Sequence, residues 1–276
     1  MDAISALDRI IADASGGELS FQTHADVALR VRMALDDPNQ HLDTAAKAVQ
    51  AEPLLAARVV ALANSVVFNR SGQQITDVRH AVSRLGFKLI RALATAVVMR
   101  QMSGAQGSPA QRAMAEQLWE HTAHVAALSY VLAKRVTRKD PDIAMFAGIV
   151  HEVGGFYLVS RLSDYPQLLD DCLYEVWSQG GEAQLGRAVL NALSVPIDVS
   201  EAIATLWQGQ PVVPPVSLGD TLLLADRLTP IFSPLVANAE TRQPEDMAGR
   251  IADGELAAIL EASVDELESL TAALRF

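Results

Sequence analysis

Cysteine is nearly missing from this 276-residue chain, in which Cys172 stands alone. A single thiol cannot close an intrachain disulfide, and it rules out a metal site built on a cysteine cluster. Long apolar runs are scarce as well. The strongest, Ala92 to Met99, is closed off by Arg91 and Arg100, well short of the roughly 18 residues that span a bilayer, so a soluble protein is expected. A secretory leader is not expected either. Asp2, Asp8 and Asp13 occupy the stretch where such a leader has a basic start and an unbroken apolar core, and a reducing cytoplasm fits both readings. Charged residues are 20%, mean hydropathy is +0.18 and no extended polar low-complexity tract occurs, which excludes disorder over most of the length. Aromatic residues are only 5%, and no series of period-two runs bounded by hairpin dipeptides marks a sheet.

What is present is an apolar content of 50%, dominated by alanine and leucine, which lose little on entering a helix. It suffices for one large domain or two ordinary ones, and the expected fold class is all-α. Predicted helices run from Asp2 to Ala14, His24 to Asp36, Thr44 to Ala51 with Asp43 as cap, and Pro53 to Ala63. A helix capped by Thr76 ends at Leu85, where Gly86 offers a left-handed turn, and Phe87 to Met102 is helical again. Ser103 to Gly107 is the best internal linker. Ser108-Pro109 then opens a long helix to Val136, and Asp140-Pro141 opens one to Val153 that breaks at Gly154-Gly155. Later helices are expected over Tyr165 to Ser178, Glu182 to Leu193, Ile197 to Trp207 and Ser217 to Leu228, with a Ser263/Glu266 capping box before the last. Trp119, Trp177, Trp207 and the methionines at 99, 102, 114 and 145 read as core packing. No internal repeat is evident.

Net charge is −11, which disfavours broad attraction to nucleic acid or anionic lipid. The sum conceals two electrostatic halves: residues 1–139 hold 16 Lys and Arg against 12 Asp and Glu, and residues 140–276 hold 6 against 21. From Pro53 to Ser103 seven basic residues face only Asp77. One reading is a solvated face with docking against the acidic half. The sharper one makes Arg79, Arg84, Lys88 and Arg91 contacts for an anion or an acidic partner, and since arginine forks suit phosphate oxygens, a cyclic dinucleotide is a candidate.

All six histidines lie in the first 151 residues. His121 and His124 sit three apart on one predicted helix, and His151-Glu152 ends another. Imidazoles and carboxylates converging on an ion with an open position for water would make a hydrolytic metal site; a hydrogen-bonded core role is the alternative.

The stretch VALRVRMALDDPNQHLDTAAKAVQAEPLLAARVVALANSVVFNR, followed by ITDVRHAVSRLGFKLIRAL, resembles the N-terminal helical half of HDOD domains, the HD-related output domains of bacterial signalling proteins. Its distinctive pieces are Glu52-Pro53-Leu54, where the family more often begins with aspartate, then Leu62-Ala63-Asn64-Ser65, then Ala81 through Leu85-Gly86. WEHTAHVA, FAGIVHEVG and LLLADRL follow in family order and resemble HD-like segments, so the likeness covers roughly residues 20–230. It implies an N-terminal helical bundle, residues 20–107, packed on an HD-like half related to metal phosphohydrolases, residues 108–235. Extensions at 1–19 and 236–276 flank them.

The resemblance maps the metal ligands of active HD enzymes onto His121, His151 with Glu152, and Asp226; in the hydrolase reading His124 would be an extra ligand or proton donor. Here the aspartate of the His-Asp pair is Glu152, the lysine that often follows is Gly155, and Gly181 to Gln210 lacks the further histidines of two-metal relatives. The set is degenerate. The implied function is a non-catalytic bacterial regulatory module that engages other signalling proteins or a nucleotide messenger, with no catalytic residue and at most one divalent ion. A residual single-metal phosphohydrolase is the alternative. DNA binding through the helix pair at Asp43 to Ala63 is disfavoured by charge.

Overall fold

The computed structural model of the chain describes residues 2–16, 31, 35, 41–102, 107–169, 172–209, 212, 215–236 and 254–275. In chain order its helices are α1 (Ala3–Ser15), α2 (Leu42–Gln50), α3 (Pro53–Ala63), α4 (Val78–Met102), α5 (Pro109–Leu132), α6 (Pro141–Val150), α7 (Val153–Arg161), α8 (Cys172–Val176), α9 (Glu182–Ala192), α10 (Ile197–Gln208), α11 (Leu218–Leu228), α12 (Gly254–Glu261) and α13 (Val264–Leu274). No strand occurs among the described residues, and the class is all-α.

Side-chain caps fix where the central helices begin. Ser108 and Gln111 form a reciprocal capping box at α5, Asp140 accepts the amides of Asp142 and Ile143 at α6, and Ser217 pairs with Asp220 at α11. Each such cap satisfies amides that would otherwise lack partners and is worth about 1 kcal/mol. These three helices carry the histidine and aspartate side chains considered below, so their registers are pinned at the start.

Helix α4 lies at the centre of the helix packing. Gly86, at φ 74 and ψ 165, interrupts it with a kink. Nothing lies within 4 Å of where a Cβ would sit, so the backbone angle alone requires glycine there. Beyond the kink the helix is buried almost all round by Leu89, Ile90, Leu93, Val97 and their neighbours, the pattern of a helix inside a core. It packs on α2 and α3 on one side and on α6 and α7 on the other, and one hydrophobic cluster runs from Ala6 to Leu274. At the far end α13 lies on α5 and α3, where Trp119 Nε1 donates to the Leu274 carbonyl at 3.0 Å.

Several local expectations are corrected. Asp43 does not cap α2; His41 takes that position, and Asp43 lies in the first turn, ion-paired with Arg79. Asp77, not Thr76, accepts an amide at the start of α4. The chain turns at His151-Glu152, and Gly154 and Gly155 lie inside α7 rather than in a break. Tyr165 to Ser178 is a 3-10 turn at Pro166–Leu169 followed by α8 and a π turn. The Ser263/Glu266 capping box does not form: Ser263 Oγ donates back to Ile259, and Glu266 reaches Lys134 and Arg135 instead. Trp119 and Trp177 are core residues, whereas Trp207 is only partly buried. Of the helix expected over His24 to Asp36 only Val31 and Leu35, both buried, are among the described residues, and of the linker expected over Ser103 to Gly107 only Gly107; the rest of both lies outside them.

Apolar length was also underestimated. Pro141–Arg161, α6 and α7 together, reaches a mean hydropathy of 1.5 across an 18-residue window, but 83% of that window is buried inside the protein.

Candidate metal centre

Helix α5 places His121 on its buried face, α6 ends at His151, the turn supplies Glu152, and α11 supplies Asp226. Close helix contact makes this convergence possible: a Cβ on Gly148 would stand only 2.5 Å from the Cα of Ala126, so α6 approaches α5 nearly backbone to backbone. The two Nε2 atoms lie 3.1 Å apart, and His121 Nε2 is 3.4 Å from Asp226 Oδ1 and 4.0 Å from Glu152 Oε1. His121, His151 and Glu152 each offer a ligand atom within 4.8 Å of the others.

The protonation pattern follows from the partners. His121 Nδ1 lies 2.7 Å from the Ile231 carbonyl, and His151 Nδ1 lies 2.7 Å from the Gly148 carbonyl. A carbonyl only accepts, so each Nδ1 carries hydrogen and each neutral ring presents an Nε2 lone pair. Two lone pairs 3.1 Å apart repel unless a proton or a cation lies between them. Burial works against charge on His121, but the adjacent Asp226 and then Glu152 outweigh it and raise its pKa. Burial, then the neighbouring His121, lowers that of His151.

The same donors suit a divalent ion. Two imidazole nitrogens bound about 2.0–2.1 Å from one metal at near-right or tetrahedral angles stand about 2.9–3.4 Å apart, and the observed 3.1 Å falls inside that span. Glu152 Oε2 is buried with no hydrogen-bond partner, a costly state for a carboxylate oxygen that a cation would relieve. Two imidazoles with two carboxylates favour a borderline or hard divalent metal.

Access is narrow. His121, His151 and Glu152 are 2%, 3% and 7% exposed. The segment after α11 covers them, with the Ile231 carbonyl on His121 and the Phe232 carbonyl accepting from Gln117. Leu235 Cδ1 stands 2.6 Å from where a Cβ on Gly155 would be, and Glu152 Oε2 stands 2.9 Å from it. Leucine thus fills the space a side chain at 155 would enter. Sequence reasoning named the four side chains that meet here but missed Gly148, Ile231 and Leu235, which act through backbone approach, a carbonyl and shape and carry no motif.

The remaining candidates lie elsewhere. His124 does not join the group; its Nδ1 is 2.8 Å from the Glu120 carbonyl. Arg79 pairs with Asp43, Arg84 donates to Asn69, Lys88 pairs with Asp140 at 2.9 Å and Arg91 donates to the Leu35 carbonyl. Each is thus engaged within the chain, and the Gly86 kink separates the first two from the last two.

The HDOD domain family model matches residues 22–208. No functionally curated protein matches the chain. Among solved structures, a protein of Shewanella amazonensis provisionally named a metal-dependent phosphohydrolase is similar at TM-score 0.74 and 22% identity, over 98% of both chains. An HDOD domain protein of unknown function from Geobacter sulfurreducens gives 0.63 and 21% over 96% of this chain and 97% of its own. A provisionally named signal transduction protein from Marinobacter aquaeolei gives 0.60 and 19% over 99% of this chain and 67% of its own. At these identities the likeness is one of fold.

Proposed function

The chain belongs to the HDOD domain family, and from that premise we propose that it is a non-catalytic regulatory module of bacterial signalling, acting through contacts with other signalling proteins. The observation that carries this reading is the seal over the HD-like group, in which Leu235 occupies the space beside Gly155 and the three clustered donors are at most 7% exposed. A phosphohydrolase needs a metal with an open coordination position and room for a phosphate ester beside it. In this reading His121, His151, Glu152 and Asp226 hold the α5, α6 and α11 junction together, around a proton or one divalent ion.

A second reading, a single-metal phosphohydrolase, draws support from the 3.1 Å spacing of the two Nε2 atoms and the unpartnered Glu152 Oε2. In it the same four residues would hold one ion, which when bound supplies an activated water and polarises a phosphoryl oxygen. One experiment separates the two: metal-supplemented protein is assayed on a panel of nucleotides and phosphodiesters beside His151→Ala. Equal, background turnover supports the regulatory reading, and turnover lost on His151→Ala refutes it.

A further inference from the structure

Away from the histidine group, a groove of about 430 Å³ lies between the start of α6, one face of α10 and the first turn of α11. Asp198, Glu201, Ala202 and Thr205 line it from α10. They stand at i, i+3, i+4 and i+7, so a single stripe of that helix, two turns and about 10 Å long, faces the groove. A Cβ on Gly219 would stand 2.5 Å from Thr205 Oγ1, so α10 and α11 meet at one end of the stripe.

Charge in the groove is unbalanced. Asp140, Asp198 and Glu201 line it against one cation, Lys139. Asp140 is engaged by Lys88 at 2.9 Å. The Glu201 carboxylate has no hydrogen-bond or ion-pair partner among the described residues, and that of Asp198 accepts only the amide of Val199. Apolar surface is open beside them. Ile143 lines the groove half-buried. Ile197, one turn before Glu201 and on its side of α10, is 74% exposed, and Val216, next to the Ser217 cap of α11, is 62% exposed. A single exposed apolar side chain is ordinary. Here the two most exposed large ones among the described residues adjoin the same groove.

We propose that this groove is a docking surface for a basic amphipathic helix of a partner protein, whose arginines reach Asp198 and Glu201 while its apolar stripe covers Ile197, Val216 and Ile143. A helix presents side chains at the spacing of the α10 stripe, which is how helices are read in grooves. Arginine is the cation that fits a carboxylate with two parallel hydrogen bonds. Charge complementarity extends beyond the groove: residues 140–276, which supply all three helices, hold 6 Lys and Arg against 21 Asp and Glu, a field that steers a basic partner toward this half. The inference rests on the regulatory reading, for which it supplies the chemistry of the partner, and it uses no residue of the histidine group.

Fluorescence anisotropy of the full chain, at about 0.15 M salt to screen distant charges, tests it with a labelled synthetic helix of about 18 residues, five turns, that carries a leucine stripe flanked by arginines. Saturable binding is expected, weakened about tenfold or more when the peptide's arginines are exchanged for glutamine. Glu201→Lys should weaken it to the same degree and Ile197→Ser severalfold, both variants melting as the parent does. Asp8→Lys makes the same charge change on the exposed face of α1, which packs on α8 and α9, and should alter binding by less than about twofold. No saturable binding, a glutamine peptide that binds as tightly, or an equal loss in Asp8→Lys would overturn the proposal. So would self-association of the full chain that Ile197→Ser abolishes, which would give the face to a second copy. Failure here leaves the regulatory reading on its own footing, since His151-dependent turnover is what refutes that reading.

Discussion

Gly148→Ala probes the contact on which the histidine group depends. The added methyl would stand 2.5 Å from the Ala126 Cα and 2.9 Å from its amide nitrogen, where ordinary contacts between carbon atoms are about 3.5–4.0 Å. Both obstructing atoms are backbone inside α5, so no rotamer change relieves the clash and the helices must separate by about 1 Å. Overpacking of a tight interior costs about 1–3 kcal/mol, and rigid backbone on both sides places this case at the upper end. Alanine recovers about 0.5–1 kcal/mol because glycine is a poor helix residue. The net destabilisation is about 2 kcal/mol, which for a domain of this size lowers Tm by about 4–8 °C. Separation would also widen the 3.1 Å gap between the two Nε2 atoms beyond the roughly 2.9–3.4 Å that one ion bridges, so Mn²⁺ should stabilise the parent in a thermal melt and lose that effect in the variant. An unchanged or higher Tm would mean helix propensity outweighs the contact, and the close-approach reasoning would be wrong.

The Gly86 kink makes a second prediction: Gly86→Ala forces an L-residue to φ 74, ψ 165, at a cost of about 1–3 kcal/mol, and a denaturant midpoint that does not fall would refute it. Asp220 is nearly buried, which favours its neutral form, but hydrogen bonds from Ser217 and Val216 outweigh burial and hold its pKa below the usual carboxylate value. A depressed folded-state pKa contributes stability above the unfolded value of about 3.9 that is lost as pH falls through the folded one. Asp220→Asn should therefore flatten the acid limb of a stability profile, and an unaltered slope would show that the carboxylate is not the titrating group. Leu235→Ala removes the side chain over Gly155 and should cost about 2–5 kcal/mol, as leucine truncation in cores does. If the seal is what prevents turnover, weak His151-dependent hydrolysis should appear with it; a wholly inactive variant would place the block in the ligand set.

The architecture was legible where one residue type has one physical use. Ser108-Pro109, Asp140-Pro141 and Ser217 each announce a helix start, and the structure forms a side-chain cap at all three. Cap readings failed where two groups compete for one side chain. Asp43 faces Arg79 across 36 residues of sequence, and the ion pair takes it away from its own helix. Glu266 is drawn to Lys134 and Arg135 in the same manner. Glycine was misread at 154 and 155 because the sequence marks a missing side chain without saying whether backbone angle or crowding requires it. Gly86 is the first case and Gly155 the second.

The same limit applies at the histidine group. Donor identity is a property of residue types in order, so His121, His151, Glu152 and Asp226 could be named before any coordinates, and they do meet. Whether a substrate can reach them is a property of volume. It is set by Leu235 and the Ile231 carbonyl, more than a hundred residues from His121 along the chain, and neither belongs to a motif. Counting ligands therefore leaves access undecided, and the residue packed against Gly155, three positions after the His-Glu pair, bears on it directly. A small residue opposite Gly155 would leave a pocket beside the carboxylates. Leucine there takes up that space, and exchanging that one side chain separates loss of ligands from loss of access.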